Sequence, residues 1–238
     1  MLEYRIGQGI LQEIAADLQE PRRFLGIIHH SKMICGDVQF NVVPEVLCAV
    51  KGDGMEENRM VRRLEENETL NVLETRRSCR SFKPDMITEE ELQAVLRAGT
   101  YAASGMGKQS PIILAVTNPD KVKEFSRANA AIMGTDMDPF YGAPVILVVL
   151  ADKSVPTYLY DGSLVMGNLM NAAESLGLGS IWIHRAKEEF ESEFGQKLLK
   201  ELGIEGDYEG IGHCALGYRR EPAKAAAPRK KDYIYFVR

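Results

Sequence analysis

Ala143-Pro144-Val145-Ile146-Leu147-Val148-Val149-Leu150 is an uncharged apolar run rich in β-branched residues. Its length and branching predict an interior strand, buried on both faces. Upstream, Pro111 to Thr117 reads as a second buried strand, and Asn118-Pro119-Asp120 then supplies a helix start with proline in the first turn. Downstream, Asp161 to Leu176 is apolar nearly all round, which predicts a helix covered on every side. Gly162, Ser163, Gly167 and Ala173 would let another helix come close, and in a chain this short a second subunit is the expected cover. Gly177 ends that helix. Gly179 to Ile183 returns as a strand, Lys187 to Leu202 has amphipathic helical spacing up to Gly203, and Gly210 to Tyr218 forms a last strand. Before all of these, Thr88-Glu89-Glu90-Glu91 is a capping box that opens a helix with Leu92, Val95, Leu96 and Gly99 on one face, ending near Tyr101. Helices and strands alternate, so the expected class is an α+β or layered α/β domain.

Composition limits what such a domain can do. The chain has 238 residues, 45% hydrophobic and 26% charged, enough for one sizeable core. Its net charge of -5 argues against nucleic-acid binding as the main activity, so a basic cluster here is a local feature. No stretch approaches the roughly 18 consecutive apolar residues that would cross a bilayer, and no secretory leader is visible at the N-terminus, so the cytoplasm is the expected location. Cys35, Cys48, Cys79 and Cys214 form no C-x-x-C pair and read as reduced thiols. His29-His30 with Cys35 is no metal site on this reading, because adjacent side chains point to different sides of any regular element. Residues 1–58 read as an N-terminal extension, with helical spacing over Ile10 to Leu18 and short strands over Phe24 to Ile28 and Phe40 to Val50. Residues 59–238 read as the working domain.

Three segments have chemistry to offer. Arg76-Arg77-Ser78-Cys79-Arg80-Ser81-Phe82 packs three guanidiniums and two hydroxyls together, the donor set of a phosphate grip. Ala102-Ala103-Ser104-Gly105-Met106-Gly107-Lys108-Gln109-Ser110 has little side-chain bulk, so its backbone can approach a flat ligand, and Gln109 can pair with an amide edge. Ala227-Pro228-Arg229-Lys230-Lys231-Asp232-Tyr233 is a second basic cluster after the last strand. Taken singly, these read equally as a solvated patch, a flexible loop and a solvated tail.

Their order along the chain resembles that of the FMN-dependent nitroreductase family: Arg-Arg-Ser-x-Arg, a Thr-capped helix, a small-residue loop ending in Gln, a buried helix followed by Gly-Leu-Gly and a strand, and a late Pro-Arg-Lys. The likeness runs from about Leu70 to Val237. It implies a central, mostly antiparallel sheet flanked by helices, a homodimer with a flavin site at the subunit interface, and FMN as cofactor with NADH or NADPH as transient co-substrate. It implies Arg76, Arg77 and Ser78 as phosphate and ribityl contacts, and Arg80 as a cation near the pyrimidine edge of the ring. Ala103, Ser104 and Gly105, with Gln109, would reach a flavin held mainly by the other subunit. His184 and Arg185 follow a strand whose end passes the reactive nitrogen of the ring, and Asn129 is a further amide for the ring edge. Arg229, Lys230 and Lys231 would close on the phosphate. No side chain is implied as a catalytic acid or base.

The implied activity is ping-pong reduction of nitroaromatic, quinone or related acceptors. Dehalogenation, dehydrogenation or flavin storage on the same fold are the alternatives. The chain also departs from the family loop, with Gly107 in place of an Asn and Ser110-Pro111-Ile112 in place of a Pro-Trp pair.

Overall fold

A computed structural model describes two short strands near the N-terminus and residues 67–238. The chain divides into two units, Met1–Val61 and Arg62–Arg238. In the first, β1 (Lys32–Cys35) pairs antiparallel with β2 (Val38–Asn41), with Lys32 opposite Asn41 and Cys35 opposite Val38. The helix expected over Ile10 to Leu18 and the strand over Phe24 to Ile28 lie outside the described residues, as do His29 and His30.

The second unit carries the layered domain. Its helices and strands are α1 (Glu68–Thr75), α2 (Glu89–Thr100), β3 (Pro111–Val116), α3 (Pro119–Met133), β4 (Val145–Asp152), α4 (Tyr158–Ser175), β5 (Gly179–Ile183), α5 (Ala186–Glu191), α6 (Glu193–Glu201) and β6 (Tyr208–Gly217). The four strands of this unit form one fully antiparallel sheet in the order β3-β4-β6-β5.

The apolar run decides the layering. All but the last residue of β4 are buried, because the strand is interior to the sheet and both its faces are covered. Side chains alternate across a strand, so Val145, Leu147 and Val149 meet Leu92 and Val95 of α2 and Val165, Met166 and Leu169 of α4 in one core cluster. Ile146, Val148 and Leu150 face the other way, into a cluster with Phe125 of α3, Phe190 of α5 and Leu199 of α6. On that second face His213 Nε2 stands 2.6 Å from Glu189 Oε2, with both side chains wholly buried. The pair is not aligned as a hydrogen bond, and the contact joins β6 to α5.

Local signals act where the sequence places them. Thr88 Oγ1 accepts from the Glu91 N–H, and Glu91 returns the bond to the Thr88 N–H, closing the capping box of α2. Glu91 also accepts from Tyr218 Oη at 2.7 Å, which ties the start of α2 to the end of β6. That bond holds the Glu91 carboxyl below its ordinary range and pushes the Tyr218 hydroxyl up. Asn118 caps α3 and Gly134 ends it in a left-handed conformation.

Two expectations are corrected, and one helix escapes the sequence reading. The amphipathic stretch Lys187 to Leu202 is two helices, because the chain is extended at Ser192 and Gln196 Nε2 donates to the Phe190 carbonyl across the break. The helix expected over Asp161 to Leu176 starts earlier and buries one face only: Val165, Met166, Leu169 and Ala173 are in the core, whereas Leu159, Tyr160 and Leu164 are exposed. Helix α1 escapes the pattern reading because it has no buried residue, and its apolar Leu70 and Leu73 are exposed. Leu169 has no exposed surface. Its replacement in Leu169→Ala should cost about 3 kcal/mol through lost transfer energy and the cavity left behind. Urea unfolding checks this, and a loss under about 1 kcal/mol would mean that α4 does not pack as described.

Candidate functional site

The Arg76 to Phe82 segment is irregular, and backbone bonds hold it against the sheet. The Cys79 N–H donates to the Ser180 carbonyl of β5 at 2.9 Å, the Lys83 N–H to the Tyr218 carbonyl, and the Arg220 N–H to the Ser81 carbonyl. Gly179 lets the segment come close: a Cβ there would lie 2.8 Å from Cys79 Sγ and from a methylene of Arg219. The segment thus runs past the start of β5 and the end of β6.

This seam opens as a cleft of about 620 Å³. Its cationic lining comprises Arg76, Arg77, Arg80, Arg219, Lys224 and Arg229, with Glu221 as the one carboxylate among the described residues. Arg77 Nη1 donates to the Glu74 and Arg76 carbonyls, and Arg229 to the Ala227 carbonyl. Arg219 is paired with Glu174 and donates to the Leu178 carbonyl. Arg76 differs from these: its Nη1 is buried and has no hydrogen-bond partner among the described residues. A buried guanidinium nitrogen without an acceptor is costly, and a bound oxyanion supplies the acceptor it lacks. Cys79 lines the cleft half-buried, while Cys214 is wholly buried and burial pushes its thiol up to about 12, despite the nearby Arg76.

The small-residue loop lies elsewhere. Ala103, Ser104 and Gln109 border a second pocket of about 410 Å³, lined mainly by apolar groups of α2, β3 and Val165. Buried Asp161 organises this loop. Its Oδ1 accepts from the Gly105 N–H at 2.9 Å, and its Oδ2 accepts from Ser110 Oγ at 2.8 Å and Thr157 Oγ1 at 3.0 Å. Burial alone raises such a carboxyl, but these three bonds outweigh it and hold Asp161 below its ordinary range. Gly105 is required at its position, since a Cβ would fall 2.3 Å from Thr157 Oγ1. Met106, Gly107 and Gln109 all take positive φ, so the loop has a defined shape.

A third group sits at the other end of β5. Asn129 Nδ2 donates to the His184 carbonyl at 3.0 Å, and Arg185 Nε donates to Asn129 Oδ1 at 3.0 Å. Asn129 has no exposed surface, and its amide holds the turn after β5, where Arg185 is left-handed. Lys230 and Lys231 are exposed and do not line the basic cleft, and Lys230 lies over the Tyr233 ring. Sequence reading missed Arg219, Lys224 and Asp161. Asp161 had a signal: a lone carboxylate in an apolar run must find donors if it is buried.

Residues 73–218, more than half of the chain, match the Nitroreductase family. The chain belongs to that family. A nitroreductase from Bacteroides fragilis, solved with bound FMN, is 28% identical with a TM-score of 0.65, covering 72% of this chain and 100% of that one. A nitroreductase from Desulfitobacterium hafniense, also solved with bound FMN, is 30% identical with a TM-score of 0.65, covering 72% of this chain and 99% of that one. A Bacillus subtilis FMN reductase [NAD(P)H] is 26% identical over 132 residues, 48% of this chain and 53% of its own.

In this nitroreductase-family chain, Asp161→Ala removes three bonds at once. It should lower stability by about 2–3 kcal/mol and speed hydrogen exchange at the Gly105 amide. Because the Asp161 carboxyl is depressed in the fold, its contribution is complete above the unfolded value of about 3.9 and fades as pH falls through the lower folded value. Unchanged Gly105 protection in the variant would show that the loop is held by something else.

Proposed function

We propose that this protein is an FMN-dependent oxidoreductase that uses NADH or NADPH to reduce nitroaromatic, quinone or related small acceptors. The observation that carries this reading is the basic cleft, where residues about 150 apart in sequence, Arg76 and Arg229, line one cavity and Arg76 presents a buried donor without a partner. Such a lining fits a phosphomonoester, and the FMN-bound relatives make FMN the group that brings one. When bound, FMN supplies the exchange of two electrons and a proton between the nicotinamide and the acceptor.

The chain's own residues bind and orient. Arg76, Arg77, Ser78 and Arg229 hold the phosphate and its adjoining polyol, Lys230 and Lys231 add positive charge nearby, and Arg80 places a fixed cation where negative charge collects on reduction. Asn129 fixes the His184 and Arg185 backbone at the end of β5, so that the turn offers its peptide groups in one geometry. No side chain is assigned as acid or base.

We place the protein in the cytoplasm and read it as a homodimer. Support for the homodimer comes from the exposed apolar groups: Tyr160 and Leu164 on α4, Tyr101 and Met106 beside the small-residue loop, and Tyr233, Ile234, Tyr235, Phe236 and Val237 at the C-terminus. A second copy would cover them, and would bring the loop with Ala103, Ser104, Gly105 and Gln109 to its partner's cofactor. Reductant and acceptor then use one open site in turn, which is the ping-pong order.

The absorbance spectrum of the purified protein tests the reading, through flavin bands that bleach anaerobically with a reduced nicotinamide. Arg76→Ala combined with Arg229→Ala should weaken flavin retention more than about a hundredfold, given roughly 1.5–3 kcal/mol for each charged hydrogen bond, with the far-UV circular dichroism unchanged. Undiminished retention would remove the phosphate assignment.

A further inference from the structure

The basic cleft carries more positive charge than one phosphate neutralises. Among the described residues, six cationic side chains line it against one carboxylate, and of the six only Arg219 has an ion-pair partner, Glu174. A phosphomonoester brings a charge of about -2 at most. Lys224 is exposed, makes no side-chain hydrogen bond or ion pair among the described residues, and has no part in holding the cofactor. The surplus is not a property of the chain at large, whose net charge is -5. It is local, because from Pro222 onward there are five basic residues and one acidic.

The lining itself favours anions over apolar groups. Beyond its charged groups the cleft offers two serines, Cys79, Pro222 and two alanines, with no aromatic or large aliphatic side chain among the described residues. Its volume of about 620 Å³ is therefore bordered almost wholly by groups that favour anions. One phosphate occupies a small part of such a space.

We propose that the cleft takes a second phosphomonoester beside that of the cofactor, namely the 2′-phosphate of NADPH, and that Lys224 is a specificity-determining residue selecting NADPH over NADH. The inference rests on the FMN reading above and adds the choice of reductant. NADPH differs from NADH only in that phosphate, so discrimination must come from cations placed to meet it. Lys224 lies in the tract between the last strand and Arg229, at a cleft already furnished with phosphate-binding side chains, and it is not spent on the protein's own acceptors. A flexible ammonium at a rim acts as a point charge, raising the capture rate of the more anionic nucleotide and losing that advantage as salt screens it.

The test uses the full chain saturated with FMN, with loading verified first by its visible spectrum. Calorimetry compares adenosine 2′,5′-bisphosphate with adenosine 5′-monophosphate as probes, and anaerobic rapid mixing compares flavin reduction by NADPH and NADH at low and high ionic strength. The bisphosphate should bind about fivefold tighter or better, the yield of one exposed ion pair. The NADPH rate should exceed the NADH rate and fall more steeply with salt. Lys224→Glu should abolish both preferences while the flavin spectrum stays in place. Equal affinities for the two probes, equal salt slopes, or a Lys224→Glu variant with its preference intact would each overturn the proposal. A chain that takes up no FMN would instead remove the cofactor reading on which it rests, and the spectrum separates that failure from the others.

Discussion

Everything at the basic cleft depends on backbone pairing between the Arg76 to Phe82 segment and one corner of the sheet. The Cys79 bond to Ser180 and the Arg220 bond to Ser81 are ordinary amide contacts, yet they fasten an irregular segment beside the start of β5 and the end of β6. That is what brings Arg76, Arg77 and Arg80 to the chain's last fifteen or so residues, where Arg229 sits. Guanidiniums repel one another, so several of them share a cavity only when their backbone is held by something else. The sheet corner does that holding. It does so without saturating Arg76, whose buried nitrogen has no hydrogen-bond partner among the described residues.

A second constraint works on the opposite side of the domain. Asp161 lies in the first turn of α4, the helix whose inner face fills one core cluster, so its carboxylate is as fixed as the core itself. From there it holds a loop that has few side chains of its own to pack. Small residues allow the backbone to approach a ligand, but they leave the loop without apolar anchoring, and one buried carboxylate with three donors replaces that anchoring. The departures from the family loop at Gly107 and Ser110 are consistent with this arrangement. Gly107 takes a positive φ that glycine tolerates, and Ser110 supplies one of the three hydroxyl or amide donors.

These two devices divide the labour of the domain. The sheet corner concentrates positive charge in a protein that is acidic overall, and electrostatics of that kind act both on a resident cofactor and on an anionic visitor. The Asp161 loop, by contrast, offers shape and backbone donors beside an apolar pocket. One face of α4 is committed to the core, while Leu159, Tyr160 and Leu164 stay exposed.

The residue pattern by itself determined the elements and their layering. The β4 run, the Thr88 capping box, the Asn118-Pro119 helix start and the limits of β5 are all local matters of apolar periodicity and capping, which a sequence states directly. The order of the basic and small-residue segments also made the family legible, and with it Arg76, Ser78 and Arg229 as candidates. Tertiary structure alone decided which of these residues share a cavity. It separated Asn129, His184 and Arg185 from the basic cleft, spent the Asn129 amide on a buried turn, and added Arg219 and Lys224. It also broke Lys187 to Leu202 at Ser192, because Gln196 caps a carbonyl there while the amphipathic spacing runs on unaltered. The physical reason is common to all of these: helix and strand follow from interactions a few residues apart, whereas a binding site is made of charges and hydrogen bonds whose partners meet only after distant segments have packed.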